Sequence, residues 1–481
     1  MPNKTKLTAV LAAACALFLG GCVSLAPQYQ RPAAPVAADW PALDRTIDPV
    51  TTAPGTPAAF QTDWQTFFTD PLLRQLIDAG LANNRDLRVA VLNIEQARAQ
   101  FQIRRADQLP TVNVAATGSR QPSTNSNPNA NGGISSVYTA GLAVTAFELD
   151  FFGRVASLKE AALAQYLASE EGRKTFQISL IANIANGYLS LLADDDLLAI
   201  TRQTLVTRED SLKLSKLRFD NGVTSELDYR QAESLLESAR VALAQQLRQR
   251  ALDYNALSLL VGQPLAAPTP GKTLAEAAQM PDVPVGLPSD LLERRPDIRQ
   301  AEQLLLAANA NIGAARAAFF PRISLTTSVG SASNSLSGLF KSGSYGWTLA
   351  PQLLLPIFDS GRNQAGLGSA NAGRDIAVAQ YEKSIQTAFR EVADALAARA
   401  TLGEQLRASQ ALVNAETTRF KLASLRYQNG IASYLDALDA QRSLFGVQQS
   451  LVQTRLAQLQ SQVTLYKTLG GGWREAGQAA P

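Results

Sequence analysis

Four stretches of the chain alternate apolar and polar residues with a period of two, the mark of strands with unlike faces. In 111–118, Val112, Val114 and Ala116 alternate with Thr111, Asn113 and Thr117. In 138–147, Tyr138, Ala140, Leu142 and Val144 alternate with Thr139, Gly141 and Thr145. Further on, Ile323, Leu325 and Val329 stand against Ser324, Thr326 and Ser328, and Trp347, Leu349 and Leu353 against Thr348, Ala350 and Gln352. A lipid-compatible row beside a watery row, over about ten residues, is what a membrane β-strand needs, though a soluble hairpin shares the pattern. Tyr138, Phe147, Tyr345 and Trp347 stand near the strand ends, where membrane strands carry girdle aromatics. The intervening 121–136 and 331–344, rich in Ser, Asn and Gly, read as exposed loops.

Elsewhere the apolar spacing changes to three and four. Leu236, Ala239, Leu243, Leu247, Tyr254, Leu257 and Val261 form one stripe, and Leu444, Val447, Leu451, Leu465 and Leu469 form another. So narrow a stripe on a long helix suits a thin-walled, solvated assembly with coiled-coil-like seams. No proline stands between Pro128 and Pro264, or between Pro356 and Pro481, so very long helices are permitted there. The pattern predicts helices over 84–108, 152–219, 225–262, 296–319, 361–428 and 432–470. The two longest span about 100 Å each at 1.5 Å per residue, and each pair of shorter helices laid end to end matches one of them.

The chain is built twice. Leu217-Arg218-Phe219-Asp220-Asn221-Gly222-Val223 recurs 208 positions on as Leu425-Arg426-Tyr427-Gln428-Asn429-Gly430-Ile431. At the same offset Leu227-Asp228 matches Leu435-Asp436 and Gly262 matches Gly470; upstream, at 211, Leu109-Pro110 matches Phe320-Pro321. The reading divides the chain into a signal at 1–21, an extended strap at 22–60, a first repeat at 61–262, a Pro-rich linker at 263–290, a second repeat at 291–472 and a tail at 473–481. The fold class is mixed α and β, mostly α, and a membrane protein. Four strands cannot close a barrel, and open edges are not tolerated in lipid. Spanning strands therefore require several chains, and strand arithmetic does not choose between two and three.

Composition narrows the function. The 481 residues carry 44 Lys plus Arg against 41 Asp plus Glu, too even a balance for a nucleic-acid footprint, so no nucleic-acid partner is expected. There is no histidine, which excludes His-based catalysis and His metal sites. The only cysteines are Cys15 and Cys22. Lys4 and Lys6, the apolar run 7–19 and Leu19-Gly20-Gly21-Cys22 read as an export signal ending in a bacterial lipobox, with Cys22 the acylated residue. No Gly-rich phosphate loop is present, and the acidic residues are scattered along helices without a pocket, so no catalytic residues, metal or cofactor are expected.

Several motifs together resemble the TolC-like outer membrane efflux family, in its NodT/OprM-type lipoprotein branch. They are Ala26-Pro27-Gln28-Tyr29-Gln30-Arg31-Pro32 after the lipobox, Leu291-Leu292-Glu293-Arg294-Arg295-Pro296-Asp297-Ile298, Leu355-Pro356-Ile357-Phe358-Asp359-Ser360-Gly361-Arg362-Asn363, and Tyr466-Lys467-Thr468-Leu469-Gly470-Gly471-Gly472-Trp473. Ala26 departs from the Gly usual in the family. The resemblance implies a homotrimer whose twelve strands form an outer membrane barrel in lipid, continuous with a long periplasmic helical barrel. It implies the passive exit duct of a tripartite pump for drugs or other small toxic compounds, with a periplasmic adaptor and an inner-membrane transporter of the resistance-nodulation-division class as partners. A type I protein secretion duct and a metal-ion efflux duct are the alternatives, and a coiled-coil spacer lipoprotein is the non-channel one.

Asn221-Gly222 and Asn429-Gly430 are tight-turn residues where the helix hairpins reverse. Spacing puts Leu435, Asp439 and Arg442 on one helix face with Asp436 one position round. By spacing alone, Asp439 and Arg442 read as an ordinary exposed helix pair. The resemblance makes the segment the periplasmic gate: Leu435 a plug, Asp436 and Asp439 acidic rings, Tyr427 and Arg442 polar contacts that hold it shut, with Asp228 the weaker counterpart of Asp436. It also makes the turns at Asn221, Gly222, Asn429 and Gly430 the adaptor contacts.

Overall fold

The computed structural model describes residues 24–37, 40, 62–122, 134–265, 272–276, 280–281, 284 and 294–473. Cys22, the signal, the loop 123–133, most of the linker and the tail beyond 473 lie outside them. The elements are α1 (Trp64–Phe67), α2 (Pro71–Asn83), α3 (Arg85–Ala106), β1 (Val112–Pro122), β2 (Ile134–Leu149), α4 (Arg154–Asp220), α5 (Glu226–Val261), α6 (Pro296–Ala317), β3 (Arg322–Ser333), β4 (Tyr345–Leu354), α7 (Arg362–Gln428) and α8 (Tyr434–Thr468). Both α4 and α7 have 67 residues. The strands run past the alternating cores, with β1 reaching Pro122 and β2 starting at Ile134 inside the expected loop.

The chain divides into two compact units. The first holds the sheet, antiparallel throughout, in the order β1-β2-β3-β4. Register puts Val114, Leu142, Val329 and Trp347 in one row across it. Paired residues share a face and residues two apart repeat it. Val112, Val144 and Leu349 therefore join this apolar face. The other face is hydroxyl-rich: Thr117 and Thr139 hydroxyls lie 2.6 Å apart, and those of Ser328 and Thr348 2.7 Å apart.

Strict alternation fails at one point. Between Val144 and Phe147 β2 advances three residues while β3 advances two, from Thr327 to Leu325. This is a β-bulge with Ala146 at φ 50, and the Ala146 N–H donates to Thr326 Oγ1 at 3.1 Å. The extra residue returns Phe147 to the apolar face.

The strap segment 25–31 belongs to the same unit and lies along α6. Arg31 grips Glu302 through Nε and Nη2, both at 2.7 Å, and Tyr29 Oη donates to the same carboxylate at 2.9 Å. Asn309 Nδ2 donates to the Pro27 carbonyl and Arg316 Nη1 to that of Leu25. The strap crosses α6 at Gly313, where a Cβ would stand 2.9 Å from Ala26 N.

The second unit contains a conventional core. Phe67, Phe68, Ile77, Ile181, Ile184, Leu189, Leu257 and Leu459 are fully buried. Phe67 stacks on Tyr466 at 4.0 Å between centroids. Asp70 caps α2 through the Leu72 N–H at 2.8 Å and also accepts from Tyr188 and Lys272. These bonds hold its carboxyl below the usual range against the opposing pull of burial. The middle of α4 is apolar enough to pass for a membrane span by composition, but most of that window is buried as a core helix is. Of the predicted α5 stripe, Leu236, Ala239, Leu257 and Val261 are buried, whereas Leu247 is exposed.

Arg295, in the Arg-Arg-Pro-Asp run that opens the second repeat, is buried and fully engaged. It grips Asp297 through two bonds, meets Glu391 at 2.8 Å and donates to the Thr468 carbonyl at 3.1 Å. These partners raise its pKa against burial, which would lower it.

Candidate functional site at the hairpin turns

Two helix hairpins, α4–α5 and α7–α8, reverse at the Asn-Gly pairs. The chemistry of the turns explains why. Gly222 has φ 71 and Gly430 φ 72, in the left-handed region that glycine tolerates. The bonds Val223 N–H to Arg218 O and Ile431 N–H to Arg426 O close each helix end by the six-to-one pattern of a Schellman turn. Asn221 and Asn429 each donate a side-chain N–H, at 2.7 Å, to the carbonyl four residues back, Leu217 and Leu425. Ser225 and Ser433 then start the returning helices as N-caps in full capping boxes, answered by Asp228 and Asp436.

The structure thus gives two of the predicted gate residues a local task. Asp436 Oδ2 accepts from Ser433 N at 3.2 Å and Ser433 Oγ at 2.9 Å. Asp228 Oδ2 accepts from Thr224 Oγ1 at 2.7 Å and Ser225 Oγ at 2.9 Å. The Thr224 and Ser225 bonds hold the Asp228 carboxyl below its ordinary value, against its slight burial. In the sequence this capping shows as the Ser-x-x-Asp spacing after each turn, Ser225 to Asp228 and Ser433 to Asp436.

Asp439 does not pair with Arg442 on its own helix. Its carboxylate takes an ion pair from Arg419 on α7, and Arg419 also reaches Glu416 at 3.2 Å. The Asp439–Arg442 pairing expected from spacing gives way to a partner on the facing helix. Leu435 is 60% exposed, and Asp436, Asp439 and Arg442 are exposed beside it.

Tyr427 turns inward. It packs on a cluster of Ala232, Leu235, Tyr434 and Leu438, with Leu212, so that all four helix ends meet there. The Arg218 guanidinium sits 4.5 Å from the Tyr427 ring centroid, joining the first hairpin to the second. Phe219 stacks on Tyr229 at 5.8 Å, flanked by Lys216 and Arg230. A cavity of about 80 Å³ lies beside the cluster, bounded among others by Ser211, Leu214, Phe420 and Gln441. Two residues of this region gave no sequence signal, Arg419 and the buried Arg208, because each acts across a hairpin.

In the sheet, Tyr138, Phe147, Tyr345 and Trp347 all fall on the apolar face by register. Tyr345 and Trp347 are 72% and 70% exposed. Tyr138 lies over Gly118, whose added Cβ would be 3.2 Å from its ring. Phe147 lies toward the opposite end, next to the α4 junction. There Glu148 grips Arg154 at 2.8 and 2.7 Å and meets Arg322 at 2.6 Å. The outer edges of β1 and β4 have no strand partner among the described residues.

Comparison with known proteins agrees with this geometry. The family model described as outer membrane efflux protein matches twice, over residues 76–263 and 287–471. The chain is 50% identical over 469 residues to the antibiotic efflux pump outer membrane protein ArpC of Pseudomonas putida, covering 97% of this chain and 96% of that one. It is equally similar, with the same coverage, to the toluene efflux pump outer membrane protein TtgC of the same species. Among solved structures, the open state of the Neisseria gonorrhoeae MtrE outer membrane channel superposes with a TM-score of 0.83 at 38% identity, over 95% of this chain and 100% of that one.

Proposed function

The chain belongs to the outer membrane efflux protein family, and we propose that it works there as the homotrimeric exit duct of a tripartite pump. It is an outer membrane efflux channel of a Gram-negative bacterium and not an enzyme. Three copies close twelve strands in the membrane, and the helices extend the duct into the periplasm. Cys22, acylated after removal of 1–21, anchors the strap in the membrane. The repeats 61–262 and 291–472 and the linker 263–290 form the body. The cargo is small toxic compounds, by analogy with the antibiotics and toluene named for the relatives.

The single observation that carries this reading is the sheet. One face carries an apolar band from Val112, Val114, Leu142, Val144 and Phe147 to Val329, Trp347 and Leu349, and the outer edges of β1 and β4 have no strand partner among the described residues. In lipid such edges must be paired, and pairing β4 to β1 of the next copy satisfies them. Tyr138, Phe147, Tyr345 and Trp347 then serve as girdle residues at the membrane surfaces.

The hairpin turns are the periplasmic gate. Leu435 is the plug, and Asp436, Asp439 and Asp228 line the constriction with negative charge that favours cations. Tyr427 and Arg442 add the polar and ring contacts that hold it. The turns at Asn221, Gly222, Asn429 and Gly430 meet a periplasmic adaptor, which in turn binds a transporter of the resistance-nodulation-division class. Energy comes from that transporter. The adaptor opens the duct by binding the parted hairpins better than the packed ones.

Two measurements test this. Full-length protein extracted in detergent is expected to be a trimer that conducts as single channels in planar bilayers; a non-conducting monomer overturns the duct. Crosslinking in cells from Asn429→Cys is expected to capture an adaptor of a resistance-nodulation-division pump. Capture of an adaptor from an ATP-driven secretion system makes the duct a protein exporter instead.

A further inference from the structure

Arg208 on α4 is buried, 4% exposed, between the two hairpins. Its Nη1 donates to the Leu235 carbonyl and to Ser238 Oγ, both at 2.8 Å and both on α5. Its guanidinium carbon lies 5.2 Å from the ring centroid of Phe445 on α8. Nε is buried and has no hydrogen-bond partner. No carboxylate among the described residues pairs with it. Burial pushes its pKa down, and the like charge of Arg442 pushes the same way.

Other arginines of this chain show what is missing. Arg31, Arg154, Arg295 and Arg407 each use the edge formed by Nε and Nη2 to hold one carboxylate through two bonds. That edge is the fork that matches a planar oxyanion. In Arg208 it makes no bond to a described residue, and the surroundings supply further donors. Gln441 Nε2, on the same face of α8, is also buried without a partner. A guanidinium does not escape by losing its proton, so the charge stays in place. The packed arrangement of the hairpins therefore carries a buried cation whose Nε has no partner and whose charge no carboxylate among the described residues balances.

We propose that the open Nε/Nη2 edge of Arg208 is a latent carboxylate-binding site, which fills when Phe445 and α8 move off α4. The site favours the parted hairpins in two ways. Parting returns the guanidinium to water, and it lets a carboxylate, free or on the side chain of a docked protein, complete the fork. The consequence for gating rests on the duct reading above; the test itself does not need conductance.

The test is hydrogen exchange of full-length protein, read on peptides covering 434–447, with sodium acetate replacing sodium chloride at constant ionic strength. In the wild type, acetate is expected to speed exchange of these peptides. In Arg208→Met, exchange in chloride is expected to be slower by about tenfold, equivalent to about 1.4 kcal/mol, and indifferent to acetate. Arg208→Lys keeps the charge but not the fork. It is expected to exchange as fast as the wild type in chloride and not to respond to acetate. Wild-type exchange that ignores acetate, or Arg208→Met exchange as fast as or faster than the wild type in chloride, overturns the proposal. An acidic adaptor fragment that speeds exchange where acetate does so assigns the carboxylate to a protein; acetate acting alone assigns it to solution. Loss of channel conductance in the wild type strikes at the duct reading and leaves these outcomes readable.

Discussion

Arg419 on α7 reaches across the second hairpin to Asp439 on α8; Ser211 and Gln231 stand at the matching positions of the first hairpin, where the exposed pair is instead Arg240 of α5 with Glu209 of α4 at 3.9 Å. The first hairpin is also tied by buried Arg208, bonded to the Leu235 carbonyl of its own returning helix. The Arg419–Asp439 tie is an exposed ion pair and the Arg208 tie a buried hydrogen bond. Salt screens the first and leaves the second. Asp439→Asn is thus expected to raise the open fraction of single channels at low ionic strength, with the difference from wild type vanishing in about 1 M salt. A difference that persists in high salt places the tie elsewhere.

Glycines with the same backbone conformation are expected to differ in cost. Gly222 has φ 71 and open space around it; Gly262 has φ 76 and a Cβ there would lie 2.5 Å from the Asn83 carbonyl oxygen. Gly222→Ala carries only the left-handed penalty, about 1 kcal/mol. Gly262→Ala adds an overlap with backbone that cannot give way, roughly 1–3 kcal/mol more. Thermal unfolding should show the larger Tm loss for Gly262→Ala.

Stability should fall with rising pH through one carboxyl group on α4. Burial lifts Asp194 to about 7, helped by a hydrogen bond with Asp253 on α5 and by the charges of Asp253 and Asp195. In an unfolded chain an aspartate ionises near pH 4. Between about pH 4 and 7 the unfolded chain releases a proton that the fold retains. The contribution is full below pH 4 and lost as pH passes 7. Asp194→Asn should flatten the decline in Tm between pH 5 and 8; an unchanged decline points to another group.

The two sheet faces predict opposite tolerance for the same substitution. Leu349→Arg puts a charge on the apolar row, at a cost of about 2–4 kcal/mol near the membrane midplane. Thr348→Arg puts it one residue away on the hydroxyl-rich face. The first should reduce trimer recovered from the outer membrane, and the second should leave it unchanged.

Much of the fold was legible because it rests on local rules. The proline-free runs and the Asn-Gly turns mark α4, α5, α7 and α8 to within a few residues. Alternation marks the four strands. The sites that escaped depend on register between distant segments. Asp439 has a partner on its own helix by spacing and a better one on the facing helix by geometry. Arg208 stands among other polar residues in sequence, and only the packing of Phe445 and Leu235 around it makes it a buried charge. Tyr427 stands among polar residues in sequence, and only the folding of the two hairpins brings its ring against Tyr434 in the apolar cluster.

The bulge in β2 also bears on what lengths this strand can have. A regular strand has no spare residue: deleting Ala140 turns every side chain on one side of the cut to the wrong face. At Thr145-Ala146 the count already runs one ahead of β3. Removing Ala146 leaves Val144 and Phe147 two steps apart and both on the apolar face. The strand therefore has one site where a single-codon deletion keeps its two faces in phase, and insertions elsewhere must come in pairs.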